Sequence, residues 1–128
     1  MDQEKVLQFI PPEKDIDGLH THNIGSLAMK NHSPYFVSCT PLGCLTLILK
    51  ALEDIHKNET NLDIWNPARP LEGRNVCIIG RSNIVGMPLS LLLMQKYDAN
   101  VFICHTKTPQ QTLVEQVAQS EIVITCCG

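Results

Sequence analysis

The sequence lacks the marks of several whole classes of protein. Its 128 residues carry ten Lys and Arg against thirteen Asp and Glu, a net charge of -3. That balance argues against a general binder of nucleic acid or of an anionic membrane surface. No apolar run approaches the length of a membrane span. The opening residues Met1-Asp2-Gln3-Glu4-Lys5 are acidic and without arginine, which reads as neither a signal nor a transit peptide. The six cysteines include no C-x-x-C and the five histidines no H-x-x-x-H or H-E-x-x-H, so no metal is assigned. A Gly-Lys-Ser/Thr phosphate loop and a Ser/His/Asp arrangement are missing too.

What is present reads as globular. A hydrophobic fraction of 44% suits one modest domain, which folding alone would bury about two-thirds of its unfolded surface. Cys77, Cys104, Cys126 and Cys127 lie in apolar, β-branched runs, where cysteine serves as a small hydrophobe. Cys39 and Cys44 flank a proline turn. We therefore expect a reducing compartment, cytoplasmic, with the mitochondrion left open.

Taken in order, Asp2 to Ile10 predicts a short helix with Asp2 as N-cap, stopped by Pro11-Pro12. The turn-rich EKDIDGLHTHNIG follows, then a short helix over Ile24 to Met29 and a brief strand-like run, Tyr35 to Cys39. Thr40 predicts an N-cap with Pro41 at the first helical position. That helix runs to about Ile55 on a stripe of Leu45, Ile48, Leu49, Leu52 and Ile55. Residues 56–70 are polar and proline-bearing and read as a linker or exposed loop pinned by Trp65. Strands follow at Val76 to Ile79, Val101 to Cys104 and Glu121 to Cys126, with helices over Met87 to Tyr97 and Pro109 to Gln119. This β-α-β-α-β order predicts an α/β fold, the first half of a doubly wound Rossmann-like parallel sheet. Half of such a sheet would expose apolar edges and faces.

The chemistry centres on Gly80-Arg81-Ser82-Asn83-Ile84-Val85-Gly86, between an apolar strand and a helix start. Such a helix N-terminus offers unpaired N–H groups and a partial positive charge to a phosphate. The G-x-G-x-x-G fingerprint fails, because serine replaces the middle glycine and the last comes one residue late. Its physical demands still hold. Gly80 permits the tight turn, Ser82 is small and adds a hydroxyl, Gly86 allows close packing, and Arg81 adds a bidentate donor. On the turn alone, an ordinary glycine turn with a solvated arginine fits equally well.

The second strand end separates them. An NAD site places an acidic residue about 20 positions beyond the first glycine. Cys104-His105-Thr106-Lys107-Thr108 holds no carboxylate there, but two hydroxyls, a lysine and a histidine. NADP is favoured over NAD on charge. Elsewhere, Asp15 and Asp17 suggest paired carboxylates, yet residues two apart in a turn need not converge. Asp15 reads as turn chemistry, whereas Asp17 could contact a ligand.

Four blocks together resemble the methylenetetrahydrofolate dehydrogenase/methenyltetrahydrofolate cyclohydrolase family: PPEKDIDGLHTHNIG (Pro11 to Gly25), CTPLGCL (Cys39 to Leu45), GRSNIVGMP (Gly80 to Pro88) and CHTKT (Cys104 to Thr108). The resemblance implies a folate-binding catalytic domain followed by a Rossmann domain, arranged as a homodimer. Hydride would pass from 5,10-methylenetetrahydrofolate to the nicotinamide, and hydrolysis of the methenyl product would give 10-formyltetrahydrofolate. By the same match Asp17 holds the pterin, Gly80, Arg81 and Ser82 form the pyrophosphate turn, and Thr106 lies beside the NADP 2′-phosphate. Residues 1–55 then belong to the end of the catalytic domain, 56–70 to the linker and 71–128 to the first half of the cofactor domain.

The family's Tyr-x-x-x-Lys segment, its glutamine stretch and its Pro-Gly-Gly segment are not found in these 128 residues, and 56–70 looks longer than usual. The expectation is a partial chain, inactive alone. A non-catalytic nucleotide- or partner-binding product is the alternative. Another NADP dehydrogenase, such as a shikimate dehydrogenase, is disfavoured by the Asp-Gly and CTPxG blocks.

Overall fold

The computed structural model describes residues 3–58, 66 and 68–127. Among them the order is α1 (Gln3–Leu7), a 3-10 turn (Pro12–Lys14), α2 (Thr21–Ala28), α3 (Cys39–Asn58), β1 (Asn75–Ile79), α4 (Gly86–Tyr97), β2 (Asn100–Cys104), α5 (Gln110–Gln119) and β3 (Ile122–Thr125). The strands form one parallel sheet in the order β2-β1-β3. The middle strand takes the most apolar run, because a central parallel strand is covered on both faces. Val76, Cys77 and Ile78 are buried accordingly.

The winding departs from a consecutive mononucleotide half, in which the third strand would lie beyond the second. Here β3 crosses back to the other side of β1, pairing Ile79 with Thr125 while β2 pairs Ile79 with Cys104. The sheet therefore reverses direction within the chain, and the carboxyl ends of β1 and β3 are neighbours. Open α/β sheets bind ligands at that kind of reversal. Right-handed crossovers in opposite directions put α4 and α5 on opposite faces, giving three layers.

The two faces are unequal. On one, Val76 and Ile78 meet Leu89, Leu92 and Leu93 of α4, with Leu45 and Leu52 of α3 and Leu27 of α2 behind. On the other, α5 buries none of its residues, and Phe102, Val123, Val114 and Val117 are each at least a third exposed. Cys77 and Cys104 are buried in the sheet with their sulfurs 3.8 Å apart. Desolvation first, then the neighbouring Cys104, pushes the Cys77 thiol up from 9.0 to about 11. No helix among the described residues is long and apolar enough to cross a membrane.

Several element bounds differ from expectation, each for a local reason. α1 stops at Leu7 rather than Ile10, since Phe9 and Ile10 donate to the carbonyls of Val6 and Leu7 in turns. Its expected cap, Asp2, lies outside the described residues, as does Trp65. α2 starts at Thr21 because His20 Nδ1 accepts from the His22 N–H and caps the helix. Tyr35 to Cys39 is not a strand: the Tyr35 N–H donates to Asn23 Oδ1, and no neighbouring strand pairs with the run. α3 begins at Cys39, so Thr40 is inside it, and Pro41 falls in the first turn, where a missing N–H costs nothing. The helix continues to Asn58, taking the first residues of the expected linker, and Lys57 pairs with Glu53 at 2.6 Å. α5 begins at Gln110, one residue later than expected, because Pro109 holds the cap position in front of it.

Candidate functional site

The turn after β1 folds back on itself by means of two glycines. Gly80 adopts φ +129, and a Cβ there would lie 2.7 Å from the Cys126 carbonyl oxygen just beyond β3. A Cβ on Gly86 would run into the carbonyl of Gly80. The late last glycine thus does the close packing that the fingerprint demands, displaced by one residue.

Ser82 organises the rest. Its Oγ accepts from the N–H of Val85 (3.2 Å) and Gly86 (3.5 Å), and its carbonyl accepts from the Met87 N–H (3.0 Å). Pro88 has no N–H, and Leu89 donates to the Val85 carbonyl. The first turn of α4 therefore keeps its own donors, contrary to the expectation of unpaired N–H groups at the helix start. What stays open to a ligand is the turn itself. The Arg81 side chain is exposed, the Ser82 hydroxyl proton is uncommitted, and the N–H groups of Arg81, Asn83 and Ile84 find no acceptor among the described residues. All are donors, as an anion requires.

The end of β2 lies alongside, held by the Gly80 N–H donating to the Cys104 carbonyl at 2.8 Å. There Thr108 Oγ1 accepts from the His105 N–H at 2.9 Å, and His105 Nδ1 accepts from the Lys107 N–H at 3.2 Å. These bonds shape a tight turn and leave the exposed Thr106 hydroxyl and Lys107 ammonium outward. Gly80, Arg81, Ser82 and Thr106 thus gather at the carboxyl ends of two adjacent strands.

Asp15 and Asp17 have separate fates. Asp15 is 4% exposed and accepts from Asn23 Nδ2 (2.8 Å), the His20 N–H (2.8 Å) and the Leu19 N–H (3.2 Å). Burial alone would push its carboxyl up; those hydrogen bonds outweigh it and hold the group below its ordinary value. Asp17 is exposed on the same turn, and its carboxylate makes no hydrogen bond among the described residues. Next to it Gly18 adopts φ +65, where a Cβ would lie 2.7 Å from the Phe36 carbonyl oxygen. Two residues on, Ser38 Oγ donates to the Ile84 carbonyl at 3.3 Å. Residues 36–38 therefore link the Asp17 turn to the phosphate turn. A cleft of ≈ 920 Å³ opens beside them, with Gln8, Thr21 and Ile24 facing Ser82, Asn83 and Met87. A smaller hollow of ≈ 220 Å³ lies at the opposite, amino end of the strands, among Asn75, Asn100 and Ser120, away from every residue above.

Two residues central to this geometry escape sequence reasoning. Asn23 is 1% exposed and ties Pro12, Asp15 and Tyr35 together, but an asparagine inside a helix carries no such signal. Ser38 reads as the end of a strand.

The profile of the tetrahydrofolate dehydrogenase/cyclohydrolase NAD(P)-binding domain matches residues 38–128, more than two-thirds of the chain. The chain belongs to this family. Among curated relatives it is 40% identical to bifunctional protein FolD 1, mitochondrial, of Arabidopsis thaliana, covering all of this chain and 31% of that protein. It is 43% identical to the bifunctional protein FolD of Rickettsia canadensis, covering 38% of that protein. Among solved structures, the Trypanosoma brucei N5,N10-methylenetetrahydrofolate dehydrogenase-cyclohydrolase, complexed with NADP and an inhibitor, superposes with a TM-score of 0.80 at 29% identity. That match covers all of this chain and 37% of the other. The Campylobacter jejuni FolD enzyme matches with a TM-score of 0.75 at 36% identity, over 98% of this chain and 38% of that one. The family member described here thus spans about a third of the length of these relatives.

Proposed function

We propose that this family member supplies the cofactor turn, and part of the folate side, of an NADP-dependent methylenetetrahydrofolate dehydrogenase/methenyltetrahydrofolate cyclohydrolase. The observation that carries the reading is a turn, Arg81 to Ile84, whose guanidinium, hydroxyl proton and three backbone N–H groups stay open as donors, beside a strand end without a carboxylate. Its residues fit a dinucleotide phosphate. Arg81 and the Ser82 hydroxyl take the pyrophosphate, while Thr106 takes the 2′-phosphate, with Lys107 adding charge. The Trypanosoma brucei relative's complex with NADP supports the choice.

When bound, NADP⁺ supplies the hydride acceptor. The chain's own part is positioning. The glycine pair brings the backbone close to the phosphates, and Asp17 offers an exposed carboxylate to the N–H groups of the pterin of 5,10-methylenetetrahydrofolate. Residues 1–55 serve the folate side and 71–128 the cofactor side, with 56–70 between them. α3 is shared between the two, because it packs on α4. In this reading the protein works as a homodimer, with no nucleic acid and no membrane among its partners.

The 128 residues hold no Tyr-x-x-x-Lys, so on their own they bind without turnover. Incubating the purified chain with 5,10-methylenetetrahydrofolate and NADP⁺, while following both binding and NADPH formation, tests this. Binding with no NADPH is expected. Steady NADPH formation would overturn the inactivity, and absence of binding would overturn the cofactor assignment.

A further inference from the structure

Ser38 is 5% exposed and touches three parts of the molecule. Its carbonyl accepts from the Leu42 N–H and opens α3. Its backbone nitrogen lies 3.0 Å from where a Cβ on Gly18 would stand, beside Asp17. Its hydroxyl reaches across 46 residues of sequence to donate to the Ile84 carbonyl.

That last bond matters because of what shares the peptide plane. The carbonyl of Ile84 and the N–H of Val85 belong to one rigid, planar unit and point in opposite directions. Ser38 holds the oxygen end, and Ser82 Oγ accepts from the nitrogen end at 3.2 Å. Two hydroxyls thus grip a single peptide from either side. Polarisation along such a relay strengthens both bonds.

We propose that Ser38 is a positioning residue for the cofactor turn, acting through the Ile84–Val85 peptide on Ser82. With the peptide fixed, Ser82 Oγ is committed as acceptor on its inner side, so its own proton points outward, where a phosphate oxygen can take it. Because Ser38 also packs on Gly18, the same residue sets the spacing between the Asp17 turn and the phosphate turn. This rests on the assignment of Arg81 and Ser82 to the cofactor.

The test is amide hydrogen exchange at Val85 together with NADP⁺ titration, both on the 128-residue chain. Ser38→Ala should speed Val85 exchange about three- to tenfold and weaken NADP⁺ by a similar factor, the worth of one hydrogen bond. Ser38→Thr, which keeps the hydroxyl, should restore both. Ser120→Ala should change neither, since that hydroxyl bonds the Gln116 carbonyl at the far end of the sheet. If Ser38→Ala fails to fold, Ser38→Cys keeps the volume with a weak donor and should show the same acceleration. Val85 exchange unchanged in Ser38→Ala, or in Ser38→Cys where the alanine variant does not fold, would overturn the proposal. Should the wild-type chain bind no NADP⁺, the cofactor assignment falls, and the exchange rates still decide the role of Ser38.

Discussion

Two glycine-bearing polar turns, one around Asp15 to Gly18 and one from Gly80 to Gly86, look alike in composition and differ in what their polar groups do. In the first, the carboxylate of Asp15 and the amide of Asn23 are buried and spent on backbone and on one another. Only Asp17 is left outward. In the second, glycine contacts set the shape, and the hydroxyl and carbonyl oxygens of one serine satisfy the helix start. The arginine, the hydroxyl proton and three backbone N–H groups remain unspent. A polar motif whose groups are consumed by its own fold is scaffold. One whose groups remain open is free to take a ligand.

This contrast can be broken most severely at the scaffold. Asn23→Leu should cost about 3 kcal/mol, because it takes one of three donors from the buried Asp15 carboxylate and leaves the Pro12 carbonyl and the Tyr35 N–H without their partner. A large fall in Tm is expected, and NADP⁺ affinity of the folded chain should stay near wild type. Gly86→Ala should cost about 2 kcal/mol, since its Cβ would meet the Gly80 carbonyl backbone. Here stability and NADP⁺ binding should fall together, as calorimetry and titration would show. Arg81→Ala sharpens the comparison from the other side: about tenfold weaker NADP⁺ with Tm unchanged, as suits an exposed side chain.

The smallest effect is on acid stability. Asp15 is depressed below its ordinary value of 3.8. Its contribution is therefore full above about pH 4 and is lost as pH falls through the folded value. Tm should be flat at mildly acid pH and drop below pH 4, and Asp15→Asn should remove much of that slope.

How much of this was legible in the sequence follows from the range of the signals. Helical stripes and the apolar runs of β1 and β2 are local, so α3, α4 and the strands were found within a few residues. The strand order was not, because β-α-β spacing does not say on which side of β1 the third strand pairs. Tyr35 to Cys39 has strand-like composition, but the Tyr35 N–H goes to Asn23 instead and Cys39 opens α3. The site divides the same way. Gly80, Arg81 and Ser82 stand out by residue type and spacing, and Thr106 through the family resemblance. Asn23 and Ser38 act across 12 and 46 positions, and nothing nearby announces such bonds. The occupied helix start was missed because Ser82 was read as a donor to a ligand, whereas its oxygen is first an acceptor for its own turn.

We propose that the turn after β1 and the acid-free end of β2 form one NADP site. Titrating the purified 128-residue chain in parallel with NADP⁺ and NAD⁺ tests it most directly. NADP⁺ should bind severalfold more tightly, and Thr106→Ala should narrow the gap. Equal affinities, or tighter binding of NAD⁺, would overturn the NADP assignment.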